Sequence, residues 1–141
     1  MGAPLIHTLR VRYAECDAQG VVFNAHYLAY FDVSITELWR AAFGSYQAML
    51  DRGLDIVVAE AALRFRAPAR FDEELTLEVA IARLGTTSIL SDHLIRHDQR
   101  IVVEGSLRHV LVDRETLTKI EIPVWAREGL APWTVENRAG G

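Results

Sequence analysis

Between Ala25 and Phe43, polar side chains occupy only a narrow stripe of a helical surface: Asp32, Thr36, Glu37 and Arg40. Tyr27, Leu28, Tyr30, Phe31, Ile35, Leu38, Trp39 and Ala42 cover the rest. A helix with so wide an apolar surface must be enclosed by other elements. Asn24 stands at its start as an N-cap, and Gly44 stops it.

The remaining segments say what encloses it. Leu5 to Tyr13 reads as a strand, and Tyr46 to Arg52 as a short second helix closed by Gly53. Beyond that the apolar period becomes two. Val57, Ala59, Ala61, Leu63 and Phe65 alternate with more polar partners, and so do Leu75, Leu77, Val79 and Ile81. Two further strands are predicted over Thr86–Arg96 and Ile101–Val112, and Lys119–Ile122 is a candidate closing segment. The turns between these runs are short, which implies antiparallel pairing. A sheet curled round one apolar helix buries both, giving an α+β chain. Its open edges need covering, and dimerisation by edge pairing is one solution. A chain of 141 residues fits one domain, 1–141, with its core over about 5–123. The polar tail from about 132 to 141 is expected to fray.

Composition narrows the partners. A net charge of −4 argues against a large nucleic-acid surface. No apolar run approaches the roughly 20 residues of a membrane span. No signal peptide is expected, because the first residues lack a charged region followed by an apolar one. Met1-Gly2 invites an N-myristoylation reading, but position 6 is Ile6 rather than Ser or Thr. Cys16 is the single cysteine, so no intramolecular disulfide forms, and a reducing cytoplasm is the expected compartment. His7, His93, His97 and His109 are scattered without zinc-site spacing, so no metal is expected.

The chemistry is expected at Asp17, in the run Tyr13-Ala14-Glu15-Cys16-Asp17-Ala18-Gln19-Gly20-Val21-Val22-Phe23-Asn24. This carboxylate lies at a Gly-containing turn just before the helix, whose start offers free N–H donors and a positive dipole end. A carboxylate with aimed donors is the minimum equipment for attacking an ester or thioester carbonyl and holding its oxyanion. Plain turn chemistry is the competing reading of an Asp before Gly. Glu15 would share a face with Asp17 in an extended segment, and is read as a solvated side chain. Cys16 is read as packing. Arg64, Arg66, Arg70 and Arg83 suit phosphate through their planar forks, or balance Glu60, Asp72, Glu73 and Glu74.

The run from Tyr13 to Phe23, followed by Tyr27 on the helix, resembles the hotdog-fold thioesterases. The resemblance is to the 4-hydroxybenzoyl-CoA thioesterase-like group of acyl-CoA thioesterases. Ala67-Pro68-Ala69-Arg70-Phe71-Asp72-Glu73 and Leu84-Gly85-Thr86-Thr87-Ser88 add to it, and it covers roughly Leu5 to Pro123. It implies a five-stranded antiparallel sheet wrapped round the helix, paired as a homodimer or homotetramer with sites at the dimer interface. It implies acyl-CoA hydrolysis to a carboxylic acid and CoA, with no cofactor beyond the CoA of the substrate. Asp17 takes the role of nucleophile or general base, and a backbone N–H near Asn24 polarises the carbonyl. Substrate contacts are then expected from Gly20, Val22, Phe23 and Tyr27, from Val57 and Ala59, and from Arg66. Thr86, Thr87 and Ser88 are expected on pantetheine or phosphate. Some relatives carry His where this chain has Asn24, and His26 is out of register for that role. Acyl carrier protein is the alternative substrate carrier, and a non-catalytic acyl-CoA-binding module the alternative function. A dehydratase would want a His acting with a carboxylate, and none precedes the helix in position.

Overall fold

The computed structural model describes residues 2–135. Its elements are β1 (Leu5–Arg10), α1 (Asn24–Phe43), α2 (Tyr46–Asp51), β2 (Leu54–Phe65), β3 (Glu74–Leu84), β4 (Ser88–His97), β5 (Arg100–Asp113) and α3 (Val124–Leu130). The five strands form one antiparallel sheet in the order β1-β3-β4-β5-β2, which is the expected α+β architecture.

Helix α1 packs on this sheet through Tyr27, Tyr30, Phe31, Ile35, Leu38 and Trp39, a recurrence at three- and four-residue steps. Leu75, Leu77, Val79 and Ile81 of β3 meet it, with Ile89 and Ile95 of β4 and Val103, Leu107 and Leu111 of β5. Each fully buried side chain of this kind stabilises the fold by about 1.5–3 kcal/mol. Leu28, expected among the covered residues, stays 44% exposed. The helix also starts differently from expectation: Asn24 is its first residue, and Phe23 holds the cap position without a side-chain bond. Gly44 closes it as expected, at φ 92°, its N–H donating to the Arg40 carbonyl.

The strand β2 departs most from its sequence pattern. A bulge between Val58 and Glu60 inserts Ala59 as an extra residue. The side-chain parity therefore changes along the strand. Ile56 and Val58 face α1 on one side of the bulge, whereas Phe65 contacts Tyr27 on the other, with ring centroids 5.8 Å apart. One face holding Val57, Ala59, Ala61, Leu63 and Phe65 together does not exist. β2 is also an edge strand, and Val57, Val58 and Phe65 are about half exposed on it. Its inner side is tight: a Cβ on Gly105 of β5 would lie 1.9 Å from the Ala62 carbonyl oxygen.

Lys119–Ile122 does not close the sheet. It makes one isolated bridge, Val112 to Lys119, and is followed by α3, which the sequence pattern did not reveal. Residues 132–135 of the tail are tied down. Thr134 bridges Ile81, and the Val135 N–H donates to the Ile81 carbonyl at 2.9 Å. Residues 136–141, where fraying was also expected, lie outside the described residues.

Two histidines interrupt the apolar interior. His93 of β4 stacks on Phe31 at 4.5 Å, and its Nε2 lies 2.9 Å from the Ser91 hydroxyl. His109 of β5 meets Trp39 edge-on at 5.5 Å. Neither Nδ1 has a partner among the described residues. Burial drives His93 down to about 3, helped by His109, and drives His109 down to about 4, so both rings are neutral at physiological pH.

Candidate active site

A 3-10 turn, Tyr13–Glu15, ends the line of β1 and delivers the chain into a tight hairpin. Cys16 pairs with Val22, the Asp17 N–H donates to the Val21 carbonyl at 2.9 Å, and the Gly20 N–H donates to the Asp17 carbonyl at 2.9 Å. Gly20 sits at φ 79°, a region where side chains are disfavoured. A third segment supports the hairpin: Val21 bridges Arg70, and the Val22 N–H donates to the Ala69 carbonyl. Asp17 is half-buried at the corner. Its Oδ1 accepts the Gln19 N–H at 2.8 Å, and its Oδ2 takes no hydrogen bond among the described residues. The turn bond thus uses one oxygen of the carboxylate and leaves the other without a hydrogen bond among the described residues.

Glu15 is not the solvated neighbour that the sequence led us to expect. It is 8% exposed, and its carboxylate accepts the Arg12 N–H at 2.8 Å, the Arg12 guanidinium, and the Tyr30 hydroxyl at 2.9 Å. Burial acts to raise its pKa, but these hydrogen bonds outweigh burial and hold it below the usual carboxylate range. Its carbonyl accepts the Phe23 N–H at 2.9 Å. Glu15 therefore ties the hairpin to the first turns of α1. Tyr30 pays into the same knot, its own ionisation pushed up by burial and by Glu15. Tyr27 adds a second tie, its hydroxyl accepting the Ala69 N–H at 3.3 Å.

The hairpin leads straight into α1. The His26 N–H returns to the Phe23 carbonyl, but the Asn24 and Ala25 N–H groups have no partner among the described residues. A cleft of about 290 Å³ opens beside them, lined by Val21, Val22, Asn24, Tyr27, Phe65, Arg66, Ala67 and Pro68. Four of the expected site residues, Val22, Asn24, Tyr27 and Arg66, gather here. Asp17 and Gly20 adjoin through the hairpin, and Phe23 is 51% exposed and does not line the cleft. Phe65, Ala67 and Pro68 were missed as lining residues. The Ala67-Pro68-Ala69 run carried the signal, since it returns the chain from β2 to the hairpin. Arg66 is not free there, because it pairs with Glu104 at 2.7 Å.

The other expected residues lie elsewhere in the chain. Arg10 pairs with Glu74 at the start of β3, so the turn after Leu84 is on the order of 30 Å away along the strand. Thr86, Thr87 and Ser88 sit at that far end, as does Val57, since both Ser88 and Val57 stand level with Val110. A second cleft of about 290 Å³ opens near them between α1 and β2, lined by Asp32, Ile35, Thr36, Trp39, Tyr46, Ile56, Val58 and His109. Ile56 and Val58, not Val57 and Ala59, face it. Of the helix carboxylates, Glu37 is bound to Arg40 at 2.6 Å and Asp32 faces this far cleft.

The sheet, its strand order and its single long helix define the hotdog fold. A protein of Aquifex aeolicus superposes with a TM-score of 0.85 at 25% identity, over 90% of this chain and 99% of that one. A 1,4-dihydroxy-2-naphthoyl-CoA thioesterase from Synechocystis gives 0.82 over 91% and 96%; at 18% identity this speaks to the fold alone. Residues 11–133 match the family model of the thioesterase-like superfamily, and the chain belongs to that family. The acyl-CoA thioester hydrolase YbgC of Escherichia coli is 30% identical over 106 residues, covering 74% of this chain and 79% of the relative. Membership makes the chain a thioester hydrolase, as the motif around Asp17 led us to expect.

Proposed function

We propose that the chain hydrolyses acyl-CoA thioesters to a free carboxylic acid and CoA, with the reaction centred on Asp17. One observation carries this reading. A carboxylate with an unengaged oxygen stands in the hairpin that leads to two unpartnered amides, Asn24 and Ala25, at the mouth of a cleft. The name of the Escherichia coli relative supports CoA as the thiol.

Asp17 Oδ2 attacks the thioester carbonyl carbon, and the carbonyl electron pair moves to oxygen. The Asn24 and Ala25 N–H groups hold that oxyanion, helped by the positive end of α1. Collapse of the tetrahedral species expels the CoA thiolate, which takes a proton from solvent, and leaves an acyl–Asp17 anhydride. Water then hydrolyses the anhydride and restores the carboxylate. As a general base, Asp17 would instead take a proton from the attacking water, and the same amides would serve. Neither route uses a metal or prosthetic group.

The separation of the expected substrate contacts fits a two-chain site. β2 offers a long, apolar, unpaired edge. Two copies joined edge to edge by a two-fold axis pair antiparallel. The start of one β2 then lies beside the end of the other. That arrangement carries the partner subunit's Thr86–Ser88 hairpin and far cleft toward the Asp17 cleft of the first chain. Pantetheine would pass between them.

The test is thiol release from a panel of short, long and aromatic acyl-CoAs and an acylated carrier protein, run beside Asp17→Asn. Turnover should fall by a few powers of ten in the variant, as for a group acting mainly in the transition state. Near-wild-type turnover in Asp17→Asn would remove Asp17 from the mechanism.

A further inference from the structure

Resting on the acyl-CoA reading, we propose that Tyr13 and Phe71, with Arg70 and Arg12, form the subsite for the nucleotide end of the substrate. That end is an adenine base on a phosphorylated ribose with a diphosphate. Tyr13 is 80% exposed and Phe71 54% exposed, yet their rings hold a T-shaped contact with centroids 5.9 Å apart. The backbone fixes this pair. The Val11 N–H donates to the Glu73 carbonyl at 2.9 Å, and the Asp72 N–H donates to the Val11 carbonyl at 3.0 Å. Those two bonds pin the turn carrying Phe71 beside the turn carrying Tyr13. Water thus faces two aromatic rings held by their backbone, and exposed aromatics are suited to stacking a base.

One cation beside the rings, Arg70, is left over for a phosphate. The acidic residues nearby are already paired: Asp72 and Glu74 with Arg10, and Glu73 with Arg100. The Arg70 side chain makes no ion pair among the described residues and is exposed. Arg12 bonds Glu15, but its side chain remains 78% exposed. Guanidinium forks beside an aromatic face match a base next to a phosphate. A protein partner would ask for far more contact, about 800 Å² on each side, than two rings supply.

The location fits the same substrate. Tyr13 and Asp17 stand four positions apart in the chain, so the two are within about 14 Å of each other. Arg70 is pinned still closer, through its bridge to Val21. The pantetheine arm spans such a distance from a thioester held at Asp17 to a base held at Tyr13.

The experiment compares an acyl-CoA with the N-acetylcysteamine thioester of the same acid, which keeps the reacting bond and lacks the nucleotide. Tyr13→Ala, Phe71→Ala and Arg70→Gln should each raise KM for the acyl-CoA about fivefold or more, with kcat held. The truncated thioester should be turned over as by wild type. Adenosine 3′,5′-bisphosphate should bind wild type by calorimetry and bind the variants correspondingly less well. Equal changes on both thioesters, or bisphosphate binding that the variants leave intact, would overturn the proposal. Failure of wild type to release thiol from any thioester would overturn the acyl-CoA reading instead. Bisphosphate binding would then decide the subsite by itself: binding lost in the variants upholds it, and none in wild type overturns it.

Discussion

Acidification should destabilise this protein through its two interior histidines before its carboxylates titrate. His93 and His109 are 4% and 3% exposed and sit at about 3 and 4, against about 6.5 in an unfolded chain. Their folded pKa values are depressed, so the unfolded state takes up protons first. Stability is then full above about 6.5 and is lost as pH falls toward 4 and 3. Each histidine contributes a limiting slope of about 1.4 kcal/mol per pH unit. Together they should remove about 4 kcal/mol between about pH 7.5 and pH 5. That is a large part of the 5–15 kcal/mol typical of a domain. The carboxylates held low, Glu15, Glu104 and Asp113, lose their contribution only as pH falls below their ordinary range near 4. The window above pH 5 therefore isolates the rings. The assay is urea unfolding at fixed protein concentration across that window, with His93→Asn and His109→Asn. Each replacement should halve the slope whatever it does to absolute stability. A flat wild-type profile, or a slope that survives both replacements, would refute the assignment.

Two further outcomes follow from β2 and its neighbours. Gly105→Ala sets a methyl group 1.9 Å from the Ala62 carbonyl oxygen, so β5 and β2 must part. It should cost about 1–3 kcal/mol or more, read as a drop in Tm. Ala61→Lys places charge on the exposed edge and should shift the protein toward monomer in sedimentation, with thiol release falling in parallel. A monomer of undiminished activity would contradict a site shared between chains.

The helix and the strand order were legible because each rests on a periodic pattern many residues long. What escaped the sequence was set by single contacts. Ala59 looks like an ordinary alternating residue, and nothing in its chemistry announces a bulge that moves Ile56 and Val58 to the helix side. Glu15 reads as a surface carboxylate until the fold brings Tyr30 to it from a separate element. Asn24 is a good capping residue by type, but Phe23 holds the cap position, its amide bonded to the Glu15 carbonyl, and Asn24 is the first residue of the helix. Among site residues, those close in sequence to Asp17 or carried by the Ala67–Glu73 return segment came together. Those read from strand alternation did not.

On the two-chain site proposed above, acyl specificity belongs to two protomers together. Asp17, Asn24 and Tyr27 are positioned by bonds within one protomer, through Glu15, Tyr30 and Ala69. The reacting end can therefore be built before any partner arrives. Val57, Ile56, Val58 and the Thr86–Ser88 hairpin are fixed at the opposite end of the same sheet. They reach an Asp17 cleft only if β2 edges join. The depth of the acyl pocket then depends on the register of two identical strands, and the bulge at Ala59 is the feature that sets which side chains face inward on each half. On that proposal, substitutions at Ile56, Val58 or His109 should alter acyl preference at the other chain's Asp17 cleft, whereas substitutions at Glu15 or Tyr30 should alter turnover within their own chain. Mixed dimers carrying one Asp17→Asn chain and one Val58→Phe chain would separate the two: with the site shared, the surviving carboxylate of the Val58→Phe chain meets an unaltered far cleft and keeps wild-type acyl preference. Altered preference at that surviving site would place the whole pocket in one chain.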